Sequence, residues 1–139
     1  MLKKKYSCVK VNQQNDGITW VIFNRPEKRN AMSPTFHAEM VEILDLLETD
    51  PDTKLVILTG EGVSFSAGQD LKVFFRETDG RPDLKAAAYN NSKWRNEKLW
   101  MYNKPTISMV NGFCVGGAFT QCICSDFAIA SDDATFCLS

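Results

Sequence analysis

Residues Thr106–Ala130 read TISMVNGFCVGGAFTQCICSDFAIA, and this stretch sets the fold class. Thr106 to Val110 has the apolar, β-branched character of a strand, and Phe127 to Ala130 has it again. Between them Gly116-Gly117 opens a segment through Cys124 whose residues suit a short helix. A strand, a helix and a second strand in that order predict a crossover connection, and hence an α/β domain.

The same alternation extends toward the N-terminus. Leu55-Val56-Ile57-Leu58 is a continuous apolar run, as expected of a strand buried on both faces. Before it, Ser33 is placed to cap a helix and Pro34 fits the first helical position, where a missing N–H costs nothing. Phe36, Met40, Ile43, Leu44 and Leu47 then recur at helical spacing, with Glu39, Glu42 and Glu48 off that stripe and a stop near Asp50-Pro51. Val9 to Val11 and Ile18 to Phe23 read as a hairpin joined through Asn15-Asp16-Gly17, whose glycine supplies the positive φ a tight turn needs. Good helix formers run from about Lys85 to Met101, interrupted by Asn90-Asn91-Ser92.

Composition restricts the function classes. The 139 residues are 44% hydrophobic and carry a net charge of −1, which suits one domain, residues 1–139, with a sizeable core. That balance gives no general attraction for nucleic acid or an acidic membrane, so an anion site must be local. Lys3-Lys4-Lys5 lacks the apolar segment of a signal peptide and no run is long enough to span a bilayer, which makes a cytoplasmic protein the expectation. The five cysteines form no disulfide framework and are expected to be reduced and mostly buried. Cys122-x-Cys124 lacks a second ligand pair, so no metal is expected.

Two small-residue segments each follow a strand candidate: Ser66-Ala67-Gly68-Gln69-Asp70, and Asn111-Gly112-Phe113-Cys114-Val115-Gly116-Gly117-Ala118. Either alone is readable as a turn. As a pair, they could direct bare backbone N–H groups from separate loops at one oxygen, as an oxyanion hole requires. Other motifs fail. Gly60-x-Gly62 has Phe65 where a dinucleotide fingerprint needs a small residue, no P-loop lysine follows the glycines, and Ser64-Phe65-Ser66 lacks the flanks of a nucleophile elbow. The single histidine, His37, falls one turn into the first helix and reads as a solvated surface residue. Lys28 and Arg29 are compatible with a phosphate site or with a solvated loop.

Three ordered motifs resolve part of this. Asn24-Arg25-Pro26-x-Lys28-Arg29-Asn30-Ala31-Met32, Ser66-Ala67-Gly68-x-Asp70-Leu71, and Lys104-Pro105-x-Ile107-x-x-Val110-Asn111-Gly112-x-x-x-Gly116-Gly117 together resemble the crotonase (enoyl-CoA hydratase/isomerase) superfamily. The likeness runs from about Val9 to Ser139. It implies a crotonase-like ββα spiral without its C-terminal helical part. It also implies an oxyanion hole from the backbone N–H groups of Gln69 and Gly117, and coenzyme A held near Lys28, Arg29, Ala31 and Ala67.

Within that superfamily, Arg25-Pro26-Glu27-Lys28-Arg29-Asn30-Ala31-Met32-Ser33-Pro34 and Ala134-Thr135-Phe136-x-Leu138-Ser139 are most similar to hydroxycinnamoyl-CoA (feruloyl-CoA) hydratase-lyases. The resemblance implies hydration of the side-chain double bond and retro-aldol cleavage to an aromatic aldehyde of the vanillin type and acetyl-CoA, with no separate cofactor. Thr120 stands where two-glutamate hydratases carry a glutamate and the hydratase-lyases a serine, which assigns it water or substrate positioning. Phe74 stands where those lyases carry a tyrosine that holds the substrate phenol, so it keeps the ring of the pocket and loses the hydroxyl. Asp70 and Asp126 are structural by this likeness. The acid/base glutamate would follow Ser139, so the 139 residues alone are expected to be inactive, while the full-length enzyme would be a homotrimer or dimer of trimers.

Overall fold

The computed structural model describes residues 4–73 and 83–138. Phe74 lies outside the described residues. The chain forms β1 (Val9–Gln13), β2 (Ile18–Phe23), α1 (Pro34–Thr49), β3 (Leu55–Gly60), β4 (Ser64–Ser66) and α2 (Asp83–Ser92), followed by a widened helical segment at Lys93–Leu99. It continues through β5 (Thr106–Val110), β6 (Phe113–Val115), α3 (Gly117–Cys124), β7 (Phe127–Ala130) and β8 (Thr135–Cys137).

Two sheets take the strands alternately. The larger runs β1-β2-β3-β5-β7, antiparallel only at β1 and β2, and the smaller runs β4-β6-β8, all parallel. Each strand of the large sheet from β3 onward is therefore followed by a short strand of the small one. Helices α2 and α3 come after such pairs, which is the ββα spiral. Asn111 ties the point where the chain leaves one sheet for the other: its Nδ2 donates to the carbonyls of Gly60 (2.8 Å) and Gly62 (2.9 Å), and its Oδ1 accepts from Gly60 N (3.1 Å).

The hairpin closes as read. Gln14 N donates to Ile18 O at 2.8 Å, Gly17 has φ +92°, and Asp16 Oδ1 accepts from Ile18 N at 3.0 Å. Helix α1 begins where Ser33 Oγ accepts from Phe36 N at 3.2 Å, behind Pro34. Its C-terminal end is tied by Lys104, whose Nζ donates to Asp50 O at 2.6 Å. Phe36, Met40, Ile43, Leu44 and Leu47 are all fully buried, in one core with Val21, Phe23, Val56 and Leu58. Phe23 stacks edge-on against Phe36 at 5.0 Å and tilts against Phe65 at 5.1 Å, linking the large sheet, α1 and the small sheet.

His37 overturns the surface reading. It is 0% exposed, because α2 and the widened segment cover a second flank of α1 beside the apolar stripe. Past Asn90-Asn91-Ser92 the helix does not continue as α, and the wider turns seat Trp94 in the core against Phe36 at 6.1 Å.

The cysteines are free thiols: Cys8, Cys114 and Cys122 are buried, Cys124 is half-buried and Cys137 exposed. Among the described residues no helix is long and apolar enough to cross a membrane, and no cluster of His, Cys, Asp and Glu could hold a metal ion.

Candidate active site

The site begins with a loop built on an unusual backbone. After a single turn of 3₁₀ helix at Pro26–Lys28, Arg29 and Asn30 adopt left-handed φ values of +50° and +55°. Asn30 holds them there. Its buried side chain donates to Glu61 O (2.9 Å) and Ser64 O (2.8 Å) and accepts from Arg25 N (2.8 Å), while its carbonyl accepts from Ser66 Oγ (2.8 Å). Asn30→Ala is expected to strand those groups and destabilise the fold by about 2 kcal/mol, read as a lower urea midpoint. The loop displays Lys28 and Arg29 to solvent, with the Arg29 guanidinium 5.9 Å over the Phe113 ring.

The neighbouring loop is stitched to it. Ala67 N donates to Arg29 O (2.9 Å), Met32 N to Gly68 O (2.8 Å) and Asp70 N to Met32 O (2.9 Å). This is a one-residue parallel bridge between Met32 and Gln69. Because Met32 bonds to the residues on either side of Gln69, the N–H of Gln69 points away from it. Asp70 anchors the loop through an ion pair with Arg25 at 3.0 Å, and Asp126 accepts from Thr106 N (2.8 Å) and Oγ1 (2.9 Å). Both carboxylates are thus occupied in holding the fold.

Gly68 brings this loop onto the start of α3. Its φ is +85°, and a Cβ built on it would lie 2.7 Å from Val115 O and 3.5 Å from Gly117 N. Among the described residues, neither the Gln69 N–H nor the Gly117 N–H has a hydrogen-bond acceptor. Two unpaired backbone donors from separate loops are therefore held at one junction, and at Gly117 the helix N-terminus adds partial positive charge. Such an arrangement can polarise a carbonyl and stabilise the oxyanion that develops from it. Thr120, three residues further along α3, is half-exposed, and its hydroxyl has no partner among the described residues.

Behind the junction lies a network that sequence reading missed. The Trp94 indole N–H donates to His37 Nδ1 at 2.9 Å, and His37 Nε2 lies 2.8 Å from Gln69 Oε1. An indole N–H can only donate, so Nδ1 accepts and the imidazole proton sits on Nε2. Nε2–H then donates to Gln69 Oε1. Burial, aided by the nearby Arg95 charge and opposed by the bond to Gln69, lowers the His37 pKa from 6.5 to about 4 and keeps the ring neutral. No local pattern in α1 marked His37 as buried or named Trp94 as its partner.

The structure thus brings Gln69 and Gly117 to one junction, with Thr120 three residues further along α3, and Lys28, Arg29, Ala31 and Ala67 to the stitched loops beside it. Over residues 13–139 the chain matches the family model described as enoyl-CoA hydratase/isomerase. It is 49% identical over 137 residues to the hydroxycinnamoyl-CoA hydratase-lyase of Pseudomonas fluorescens, covering 97% of this chain and 49% of the relative. A 4-chlorobenzoyl coenzyme A dehalogenase of Arthrobacter is 36% identical over 128 residues, covering 89% of this chain and 45% of that one. The solved enoyl-CoA hydratase/isomerase of Xanthobacter autotrophicus Py2 superposes with a TM-score of 0.85 at 31% identity, covering 95% of this chain and 49% of the other. The chain spans about half the length of the curated relatives it matches.

Proposed function

Since the chain belongs to the enoyl-CoA hydratase/isomerase family, we propose that it supplies the coenzyme and oxyanion parts of an acyl-CoA hydratase-lyase acting on a hydroxycinnamoyl thioester such as feruloyl-CoA. The observation that carries this reading is the pair of N–H groups of Gln69 and Gly117, unpaired among the described residues and pressed together by the close approach of Gly68 to Val115. The likeness to the Pseudomonas fluorescens hydratase-lyase supports the choice of reaction.

In this reading the thioester carbonyl accepts from both N–H groups, and the charge that moves onto its oxygen as an enolate forms is stabilised there. A single donor of this kind is worth about 10²–10³ in rate. Thr120 holds the water that adds to the double bond, and a hydroxyl can position that water without serving as its base. Retro-aldol cleavage of the β-hydroxy thioester then releases an aromatic aldehyde of the vanillin type and the acetyl-CoA enolate, which the same hole stabilises. Coenzyme A enters as part of the substrate, and the chemistry calls for no separate cofactor. Its phosphates meet Lys28 and Arg29, its adenine meets the Ala67 carbonyl, and Ala31 lies in the same coenzyme-binding loop.

Phe74 favours a second reading, hydration or isomerisation of a non-phenolic enoyl-CoA, because it lacks the hydroxyl that would hold a phenol. Turnover of feruloyl-CoA and crotonyl-CoA by the whole protein, measured side by side, decides between the two: aldehyde from the first supports cleavage, and hydration of the second alone removes it. For the chain itself, Lys28→Ala combined with Arg29→Ala is expected to weaken coenzyme A binding about tenfold and to flatten its salt dependence. Calorimetric titration reads both, and unchanged affinity would remove these residues from the coenzyme site.

A further inference from the structure

The outward face of the Gln69 side chain is unusually well determined. With the imidazole proton on Nε2, Gln69 Oε1 is consumed as an acceptor at 2.8 Å, and the amide NH2 must face the other way. Its Nε2 lies 3.9 Å from the position a Cβ on Gly117 would take, so it borders the space directly over that residue. The Arg95 guanidinium borders the same space at 3.6 Å and the Met32 methyl at 3.4 Å. The hydrogen bond recorded for Arg95 runs from Nε to Asn96 Oδ1 at 3.3 Å, which leaves its terminal NH2 groups available among the described residues. The two side-chain polar groups nearest this position among the described residues, the Gln69 amide and the Arg95 guanidinium, are thus donors.

Two donors on one space leave an unmet demand. A hydrocarbon placed against them strips water from an amide and a guanidinium and returns no hydrogen bond, whereas an oxygen acceptor returns it. Trp94 matters here as much as His37. Without its N–H on Nδ1, the imidazole could carry its proton on either nitrogen, and Gln69 could present Oε1 or Nε2 to the pocket with similar ease.

We propose that His37 and Trp94 are positioning residues that lock the Gln69 carboxamide with its NH2 facing the space over Gly117, where with Arg95 it selects acyl groups bearing an oxygen acceptor beside the thioester. This rests on the acyl-CoA reading of the site and adds the class of acyl group. The backbone N–H of Gln69 serves the thioester carbonyl; its side chain serves the acyl oxygen. A β-hydroxy thioester, the intermediate of hydration followed by cleavage, carries an acyl oxygen of this class.

The test compares calorimetric dissociation constants of the purified chain for 3-hydroxybutyryl-CoA, butyryl-CoA and coenzyme A. Wild type is expected to favour the hydroxy thioester over the plain one by about tenfold. His37→Phe and Trp94→Phe should each reduce that ratio to about twofold or less, with coenzyme A affinity unchanged, and Gln69→Leu should reduce the ratio likewise. Trp94→Phe is the decisive variant, because it keeps an aromatic ring in the core and deletes only the donor, so a purely structural role would leave the ratio intact. Equal affinity for the two thioesters in wild type, or a ratio that persists in Trp94→Phe and Gln69→Leu, overturns the proposal while coenzyme A binding upholds the family reading. Absence of coenzyme A binding overturns both.

Discussion

Gly68→Ala is expected to destabilise the protein by about 4 kcal/mol, against about 1 kcal/mol for Gly62→Ala. Both glycines have positive φ, +85° and +78°, so both substitutions meet the left-handed strain of an L-residue. The surroundings differ. A Cβ at Gly62 meets only the Pro26 side chain at 3.4 Å, whereas one at Gly68 falls 2.7 Å from a backbone oxygen, Val115 O. That oxygen belongs to β6, which is paired on both sides within the small sheet and has little room to retreat. The excess cost at Gly68 therefore measures how tightly the two donor loops are pressed together. Urea unfolding of the two variants reads it, and equal losses would mean that backbone strain accounts for the position and the close approach for nothing.

A second large effect concerns acid. The His37 imidazole titrates at 6.5 in the unfolded chain and at about 4 in the fold, mainly because burial disfavours its charged form. Between those values the unfolded state binds a proton that the native state refuses. Stability is therefore fully retained above pH 6.5 and falls as the pH drops toward 4, by about 3 kcal/mol in total. Among the described residues the charged group that acts on the ring is Arg95, which pushes in the same direction as burial. Urea unfolding at several pH values between 4 and 7, in wild type and in the non-titrating His37→Gln, isolates this contribution. Asp50, whose carboxyl is held low chiefly by the Thr53 hydroxyl, is common to both proteins and cancels. An equal slope in the two would show that His37 is not the proton-binding group.

The elements legible in the sequence were those with local signals. The hairpin carried its turn in Asn15-Asp16-Gly17, α1 carried its cap and stripe, and β3, β5 and β7 were long enough to show as apolar runs. The small sheet was not legible because β4, β6 and β8 have three residues each, too short for any period to show. The oxyanion pair was suggested by glycine spacing and named through the family likeness. The network behind it was hidden for a physical reason: His37 meets Gln69 and Trp94 across separations of 32 and 57 residues, and what makes His37 buried is the packing of α2, not anything in α1. The latches of Asn30 and Asn111 are similarly distant, each tying backbone groups from a different turn of the spiral.

The one-residue bridge between Met32 and Gln69 separates two properties that most sites confound. Whatever side chain occupies position 69, the bridge turns its N–H the same way, so the polarising donor is indifferent to the residue that supplies it. The side chain is then free to change without disturbing the electrophilic step. Mutation at such a position explores what is accepted while leaving intact how it is activated, and a scaffold with that decoupling can diversify its chemistry one substitution at a time.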